Sequence, residues 1–222
     1  MKTTIWLVRH GQTEFNVEDR IQGVANSNLT AQGQADAKSL GRGWAKRQVR
    51  FDRAFSSDLT RANDTATLAL SSSQPDLTVT KRVDLREECY GKFEGQLTSE
   101  FAQTVFNLPD LNQALKAGEI TLNDIADAGH AIDPVAETAL QVQTRFHKAL
   151  TEIAADAEAA GHSDTLVVAH GTVIVMWLNY LLMDTQGLLG MRNASVTKLT
   201  YQNGTFTLTQ LDSLDDVMAG RA

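Results

Sequence analysis

Short runs of consecutive apolar residues alternate along this chain with longer stretches whose apolar positions recur every three or four residues. That alternation predicts an α/β fold with a largely parallel sheet. Ile5-Trp6-Leu7-Val8 reads as a first buried strand. A helix is predicted over 29–44, with Thr30 as its cap and Ala35, Leu40 and Trp44 on its apolar face. Phe51 to Phe55 gives a second strand, Asp58 to Leu70 a second helix with Arg61 in its first turn, and Leu77 to Val79 a short third strand. From Pro134 to Ala160 the positions Val135, Leu140, Val142, Phe146, Leu150 and Ile153 predict a long amphipathic helix stopped by Gly161. Thr165 to Ala169 is a fourth strand and Val173 to Leu182 a helix apolar on most faces. Asn203-Gly204, between two alternating runs, predicts a hairpin with positive φ at both central residues. The segment 96–133, mixed apolar and acidic and broken by Pro109 and Gly118, does not follow the alternation and reads as an inserted helical cap. The stretch 212–222 is acidic and poorly periodic and is expected to be a mobile tail.

Composition narrows the function classes. The 222 residues are enough for a full core without staples, and the single Cys89 excludes an intrachain disulfide and is compatible with a reducing, cytoplasmic location. Neither the N-terminal apolar run nor 173–183, interrupted by Asn179, is long enough to span a membrane. A net charge of −7 argues against nucleic-acid binding, which rests on clustered lysine and arginine. An anionic small-molecule substrate would therefore need a local basic pocket.

Candidate chemistry sits where two strands end in the same dipeptide, in Leu7-Val8-Arg9-His10-Gly11 and Val167-Val168-Ala169-His170-Gly171. Ligands of open α/β sheets bind beyond the carboxyl ends of the strands, so both histidines are expected to face one crevice. A neutral imidazole can attack phosphorus near neutral pH, and guanidinium groups suit bidentate contact with phosphoryl oxygens. Arg9 and Arg61 are the cations placed to do so.

Arg9-His10-Gly11-Gln12-Thr13-Glu14-Phe15-Asn16 resembles the R-H-G-x-T-x-x-N motif of the histidine phosphatase superfamily, which includes the cofactor-dependent phosphoglycerate mutases. The likeness continues through Ile21-Gln22-Gly23, Leu29-Thr30-Ala31-Gln32-Gly33, Ser56 to Ala62 with Thr65-Ala66, and Leu85-Arg86-Glu87 with Gly91 and Glu94-Gly95. Ala136-Glu137-Thr138 with Arg145 and the second histidine motif at 168–171 extend it, from residue 4 to about residue 172. The resemblance implies one domain over 1–222, a three-layer α/β/α sandwich with a mostly parallel sheet, and 96–133 as its cap. It further implies that His10 becomes phosphohistidine, that Arg9, Arg61 and His170 surround the phosphoryl group, and that Glu87 donates and later accepts a proton. Asn16, Gln22, Gly23, Tyr90 and Gly171 fall at substrate-side positions. No metal and no cofactor is expected. Glu88 reads as a surface carboxylate, and His130, His147 and His162 as solvated.

Within that family the cap argues for a phosphatase. A mutase has to hold a doubly phosphorylated intermediate, whereas 96–133 carries only Lys116 against Glu100, Asp110, Glu119, Asp124, Asp127 and Asp133. Lys92 offers one further cation near the rim, although a lone lysine beside a motif is usually solvent-exposed, and Gln22 stands where mutases usually have a small hydroxyl residue. Phe93, Phe101, Val105 and Phe106 are expected to pack the cap more than to line a pocket. The expectation is a phosphomonoesterase acting on a small phosphorylated metabolite, with a phosphoglycerate mutase as the alternative and a phospholigand-binding relative as the third reading. The partner expected is the substrate, with neither nucleic acid nor membrane, and a homodimer is compatible.

Overall fold

A computed structural model describes residues 2–221. Six strands form one sheet: β1 (Thr3–Arg9), β2 (Arg53–Ser57), β3 (Val79–Arg82), β4 (Asp164–Ala169), β5 (Val196–Gln202) and β6 (Thr205–Ser213), in the order β3-β2-β4-β1-β5-β6. The first four are mutually parallel, while β5 runs antiparallel to both β1 and β6. Because side chains alternate across a strand, β1 sends Ile5 and Leu7 to one face and Trp6 and Val8 to the other, and both faces are covered. α7 (Ala139–Ala160) and α8 (Gly171–Tyr180) cover the first face with Phe146, Leu150, Ile153 and Trp177. The second is covered by α2 (Ala31–Lys46), α3 (Thr60–Ser71) and α9 (Asp215–Arg221), through Leu40, Trp44, Ala66 and Val217. This is the expected three-layer α/β/α sandwich.

Short α1 (Glu14–Val17) follows β1, and the cap comprises α4 (Thr98–Phe106), α5 (Leu111–Ala117) and α6 (Leu122–Ile132). Phe93, Phe101, Leu111 and Ile125 pack together there as a separate cluster, with Val105 and Phe106 against it, so the cap's aromatics do serve packing.

Several boundaries differ from the sequence expectations. The second and third strands begin two residues late: Phe51 precedes the ladder and packs on Trp6 and Trp44, and Leu77 is tied into a turn by its N–H to Gln74 O (3.0 Å). α7 starts at Ala139 because Thr138 and Gln141 form a capping box, which leaves Val135 and Leu140 on the surface at 72% and 63% exposure. α8 ends at Tyr180, and Leu182, with φ of 55°, lies outside it and in solvent. The expected mobile tail is instead the end of β6 followed by α9. Val217 enters the core, Gly220 lies against Ser39 O where a Cβ would sit at 1.7 Å, and Arg42 Nε and Lys46 Nζ donate to Gly220 O and Ala219 O. Asn203 and Gly204 have φ of 49° and 81°, as the hairpin turn requires.

Candidate active site

The parallel register pairs Leu7 with Val167 and Arg9 with Ala169, so His10 and His170 leave the sheet side by side. The His10 N–H donates to Ala169 O (3.0 Å), and the two imidazole rings lie 5.3 Å apart. Both histidines are buried. His10 Nδ1 lies 2.7 Å from Gly11 O, a distance that makes Nδ1 the protonated nitrogen and leaves the lone pair on Nε2. Arg61 Nε donates to that Nε2 at 3.3 Å. Burial, reinforced by Arg61 and Arg9, pushes the His10 pKa well below the ordinary imidazole value, so His10 is neutral at neutral pH. His170 is shifted the same way by burial, Arg61, His10 and Arg9.

Arg61 is fully buried in the first turn of α3, yet among the described residues no carboxylate bonds its guanidinium. Nη1 donates to Ala25 O (2.9 Å) and Nη2 to Gly23 O (2.6 Å). Burial lowers its pKa to about 10, against the pull of Glu87 and Glu94, so it stays charged near neutral pH. Those carbonyls are presented by a cradle that joins the Gln22-Gly23 and Glu94-Gly95 motifs, a role the sequence pattern does not indicate. Both oxygens of Glu94 accept backbone N–H bonds, from Gly23 (3.1 Å), Val24 (2.9 Å), Ala25 (2.9 Å) and Tyr90 (3.0 Å). Four donors on one carboxylate turn the 22–25 loop so that its carbonyls face Arg61. Gly23 is obligatory there, since a Cβ would come within 2.0 Å of Glu88 O.

Arg9 is the second cation: one Nη donates to Met191 O, and Nε has no protein partner. Gly171 lets it pass, because a Cβ would sit 3.0 Å from that Nε. Burial lowers the Arg9 pKa while Glu87 and Asp212 oppose the shift.

Glu87 faces the N-terminus of α8. Its Oε2 accepts from Thr172 N (2.9 Å) and its Oε1 from Val173 N (2.7 Å) and Glu88 N (3.1 Å). Burial nevertheless outweighs these bonds and raises its pKa above the usual carboxylate value. The turn that presents it is held by Arg145, which pairs with both oxygens of Glu137 at 2.8 Å and donates to the carbonyls of Asp84, Arg86 and Glu87.

Asn16 closes the α1 capping box with Thr13, and its Oδ1 accepts from Asn193 Nδ2 (3.1 Å), which also reaches His10 O (3.2 Å). Asn193 therefore joins the loop before β5 to the histidine. Nothing in its local sequence pattern points to that role. Gln22 Oε1 accepts from the Thr13 hydroxyl (2.8 Å), which leaves Gln22 Nε2 buried without a partner. Tyr90 is buried, and burial together with Glu88 and Glu87 raises its pKa well above the ordinary phenol value, keeping it neutral.

Arg9, His10, Asn16, Gln22, Glu87, Tyr90 and Gly171 line one cavity of about 260 Å³. Arg9 Nε and Gln22 Nε2 on its wall, and both ring nitrogens of His170 beside His10, are buried without protein partners; the neutral His170 ring adds one donor to those two. Orphaned buried donors are costly and rare, and their convergence beside two guanidiniums makes this an anion pocket.

Two sequence expectations fail here, those for Glu88 and for the histidines. Glu88 is buried at 1% exposure, with its pKa raised well above normal by burial and by Glu87 and Glu137. It follows Glu87 into the interior because Glu87 and Tyr90 on either side are themselves buried. Of the two readings of Lys92 the solvent-exposed one holds: it lies over the Phe93 ring and does not line the cavity. His130 and His147 are half-buried and engaged: His130 Nδ1 lies 2.7 Å from Ala136 O, and His147 Nδ1 accepts from Trp177 Nε1 (3.2 Å).

Fold and cluster together define an α/β protein whose strand ends hold a buried cationic anion pocket around a neutral histidine. The chain belongs to the histidine phosphatase superfamily, branch 1, whose family model matches residues 5–213. It is 43% identical over 104 residues to a 2,3-bisphosphoglycerate-dependent phosphoglycerate mutase of Methylocella silvestris, covering 46% of this chain and 50% of that protein. It thus spans about half the length of that mutase. A broad-specificity phosphatase of Saccharomyces cerevisiae is 29% identical over 201 residues, covering 89% of this chain and 79% of the relative. The crystal structure of a phosphoglycerate mutase from Bacillus anthracis superposes with a TM-score of 0.90 at 32% identity, over 100% of this chain and 97% of the other. No helix among the described residues is long and apolar enough to cross a membrane.

Proposed function

We propose that the chain is a phosphomonoesterase that works through phosphohistidine on His10. The observation that carries this reading is the neutral, tautomer-defined His10 Nε2 standing among Arg61, Arg9 and partnerless donors of His170 and Gln22. Nε2 attacks phosphorus as the P–O bond to the leaving alcohol breaks, and the Glu87 carboxyl gives that oxygen its proton. Water then attacks the phosphohistidine, Glu87 takes the water's proton, and inorganic phosphate leaves. Arg9, Arg61 and His170 meet charge developing on the phosphoryl oxygens, and two guanidiniums supply what a metal would otherwise be asked to supply. A raised carboxyl pKa suits Glu87 to proton donation.

Hydrolysis is favoured over the mutase reading by the cap's contribution to the cavity, the neutral Thr98 and Asn112, which offers no cation for a second phosphate. The test is a rapid quench with a labelled phosphomonoester, where acid-labile, base-stable phosphate on His10 is expected. A His10→Ala variant is expected to lose at least ~10⁴-fold in kcat. Full turnover by that variant would overturn the mechanism. Efficient isomerisation of 3-phosphoglycerate, dependent on added 2,3-bisphosphoglycerate, would replace phosphatase by mutase.

A further inference from the structure

Beyond His10 the cavity opens between the 19–22 segment and the cap, and its wall there is made of Asp19, Arg20, Gln22, Thr98, Asn112 and Thr172. Ligand pockets are usually lined by hydrocarbon with a few polar groups and run from roughly 300 to 1,000 Å³. This one is about 260 Å³, and among the described residues no aliphatic side chain lines it. Besides the His10 imidazole, Tyr90 contributes the one aromatic ring of the described wall, and that ring is already engaged edge-on by Phe101 in the cap cluster. An alkyl or aryl leaving group would find no matching surface.

Charge narrows the ligand further. Arg20 is the cation at this mouth, but its Nε donates to Glu18 (2.6 Å) and its Nη1 to Gly95 O (2.8 Å). With Glu18 and Asp19 both beside it, the mouth holds no surplus positive charge for a second phosphate or a carboxylate. What remains is a mixed set of donors and acceptors: amides, hydroxyls, the free edge of Arg20 and the Asp19 carboxylate. A hydroxyl group both donates and accepts, and so matches such a set at every position. The set is also pre-organised. Ile21 N–H donates to Gln96 O (2.8 Å), Gly95 N–H to Ile21 O (2.9 Å) and Thr98 N–H to Asp19 O (2.8 Å), locking the 19–21 segment to the base of the cap.

We infer that this mouth is a hydroxyl-reading subsite, and that the leaving alcohol is a small, uncharged polyol or sugar. The inference rests on the phosphomonoesterase reading and names its substrate class.

The test compares three-carbon esters on the full chain: glycerol 3-phosphate, n-propyl phosphate and 3-phosphoglycerate, with p-nitrophenyl phosphate reporting the chemistry alone. Glycerol 3-phosphate is expected to exceed both three-carbon competitors by ~10-fold or more in kcat/KM, because each would leave a polar group of the mouth unmatched. Asn112→Leu is expected to bring the glycerol-to-propyl ratio toward one, mainly through KM. Turnover of p-nitrophenyl phosphate without a preference for the glycerol ester, or with a preference for 3-phosphoglycerate, overturns the subsite while leaving the phosphatase standing. Failure of all four esters to be hydrolysed or to label His10 overturns both.

Discussion

The two ends of the cavity are built on opposite principles. At the floor, titratable groups are kept dry: Glu87 lines the cavity and is buried, Glu88 and Arg61 are buried behind it, and Arg61 is held by backbone carbonyls with no carboxylate of the described residues bonded to its guanidinium. At the mouth, Arg20 is a half-exposed group already shared with Glu18. In a dry site an unneutralised guanidinium acts on a phosphoryl group with little screening, whereas charges at the wet rim are worth little. The floor is therefore suited to chemistry, and the mouth to recognising shape and hydroxyl pattern.

The largest effect that should separate the two ends is at Glu87. Glu87→Gln keeps the side chain's size and removes its proton, and kcat is expected to fall by ~10² to 10⁴-fold for esters of poor leaving groups. A phenolic ester needs less protonation of its leaving oxygen and should lose less. The pH profile carries the sign. With the Glu87 pKa raised by burial, the acid form persists above the usual carboxylate range, and P–O cleavage declines as pH rises through that pKa. On the proposed mechanism the acid limb is expected from His10, whose lowered pKa keeps it neutral below the pH at which an ordinary imidazole protonates. Activity is thus expected to extend to lower pH than a free histidine would allow, and loss of the alkaline limb in Glu87→Gln checks the assignment.

Next comes the Glu94 cradle, which does not line the cavity. An amide replaces one acceptor oxygen by a donor group, so Glu94→Gln sets N–H against N–H at two of the four backbone bonds that shape the 22–25 loop. Arg61 would lose its fixed carbonyl partners, and a displacement near 1 Å is worth up to ~10² in rate. A fall of that order in kcat/KM, with weaker protection by vanadate and a lower Tm, is expected. Unchanged kinetics would show that Arg61 is positioned by α3 alone.

How much of this was legible follows from how each residue reaches the site. Arg9, His10 and His170 were legible because strand ends place them: parallel pairing of β1 with β4 leaves two His-Gly dipeptides no choice but to meet. Arg61 was legible from its position at the start of a helix, and Glu87 through the family likeness. Asn193, Arg20 and Asn112 were not, because they arrive from loops and from the cap, whose packing no local period encodes. Glu88 was misread for the opposite reason: a carboxylate suggests solvent, and only the chain path between Glu87 and Tyr90 carries it inward. The C-terminal helix was misread because its small and acidic residues lack a strong period. Its glycine is the contact, since Gly220 lets α9 approach the backbone of α2.

Glu88 allows a test of the dry floor that leaves Glu87, the proposed proton-transfer group, in place. Its pKa is raised in the folded state, so the folded chain binds more protons than the unfolded one above the ordinary carboxylate value. Its contribution to stability must then decline as pH rises from that value toward the folded one. Glu88→Gln removes the titration while keeping the shape, so Tm plotted against pH above about 5 is expected to flatten, with a small gain at neutral pH. A Tm profile parallel to the parent's would mean that Glu88 ionises freely and that the floor is wetter than its burial implies.

The smallest expected effect lies at the cap. Its acidity suggested at first that the cap repels polyanions, but Glu100, Asp110, Glu119, Asp124 and Asp127 do not line the cavity. Asp110 and Asp124 accept the N-terminal bonds of α5 and α6, and Asp127 Oδ1 accepts from Ala139 N (2.9 Å). These are structural duties. Glu100 and Glu119 are exposed, and at physiological salt charges beyond roughly 8 Å are screened. The double variant Glu100→Gln/Glu119→Gln is therefore expected to change the kcat/KM ratio of glycerol 3-phosphate to 3-phosphoglycerate by less than about twofold. A larger gain for the carboxylated ester would return the discrimination to the cap's net charge and take it from the hydroxyl-matching wall. If the ratio holds, exclusion of a second anion rests on what the mouth lacks, a free cation facing the cavity, and the negative charge of the cap is a property of its outer surface.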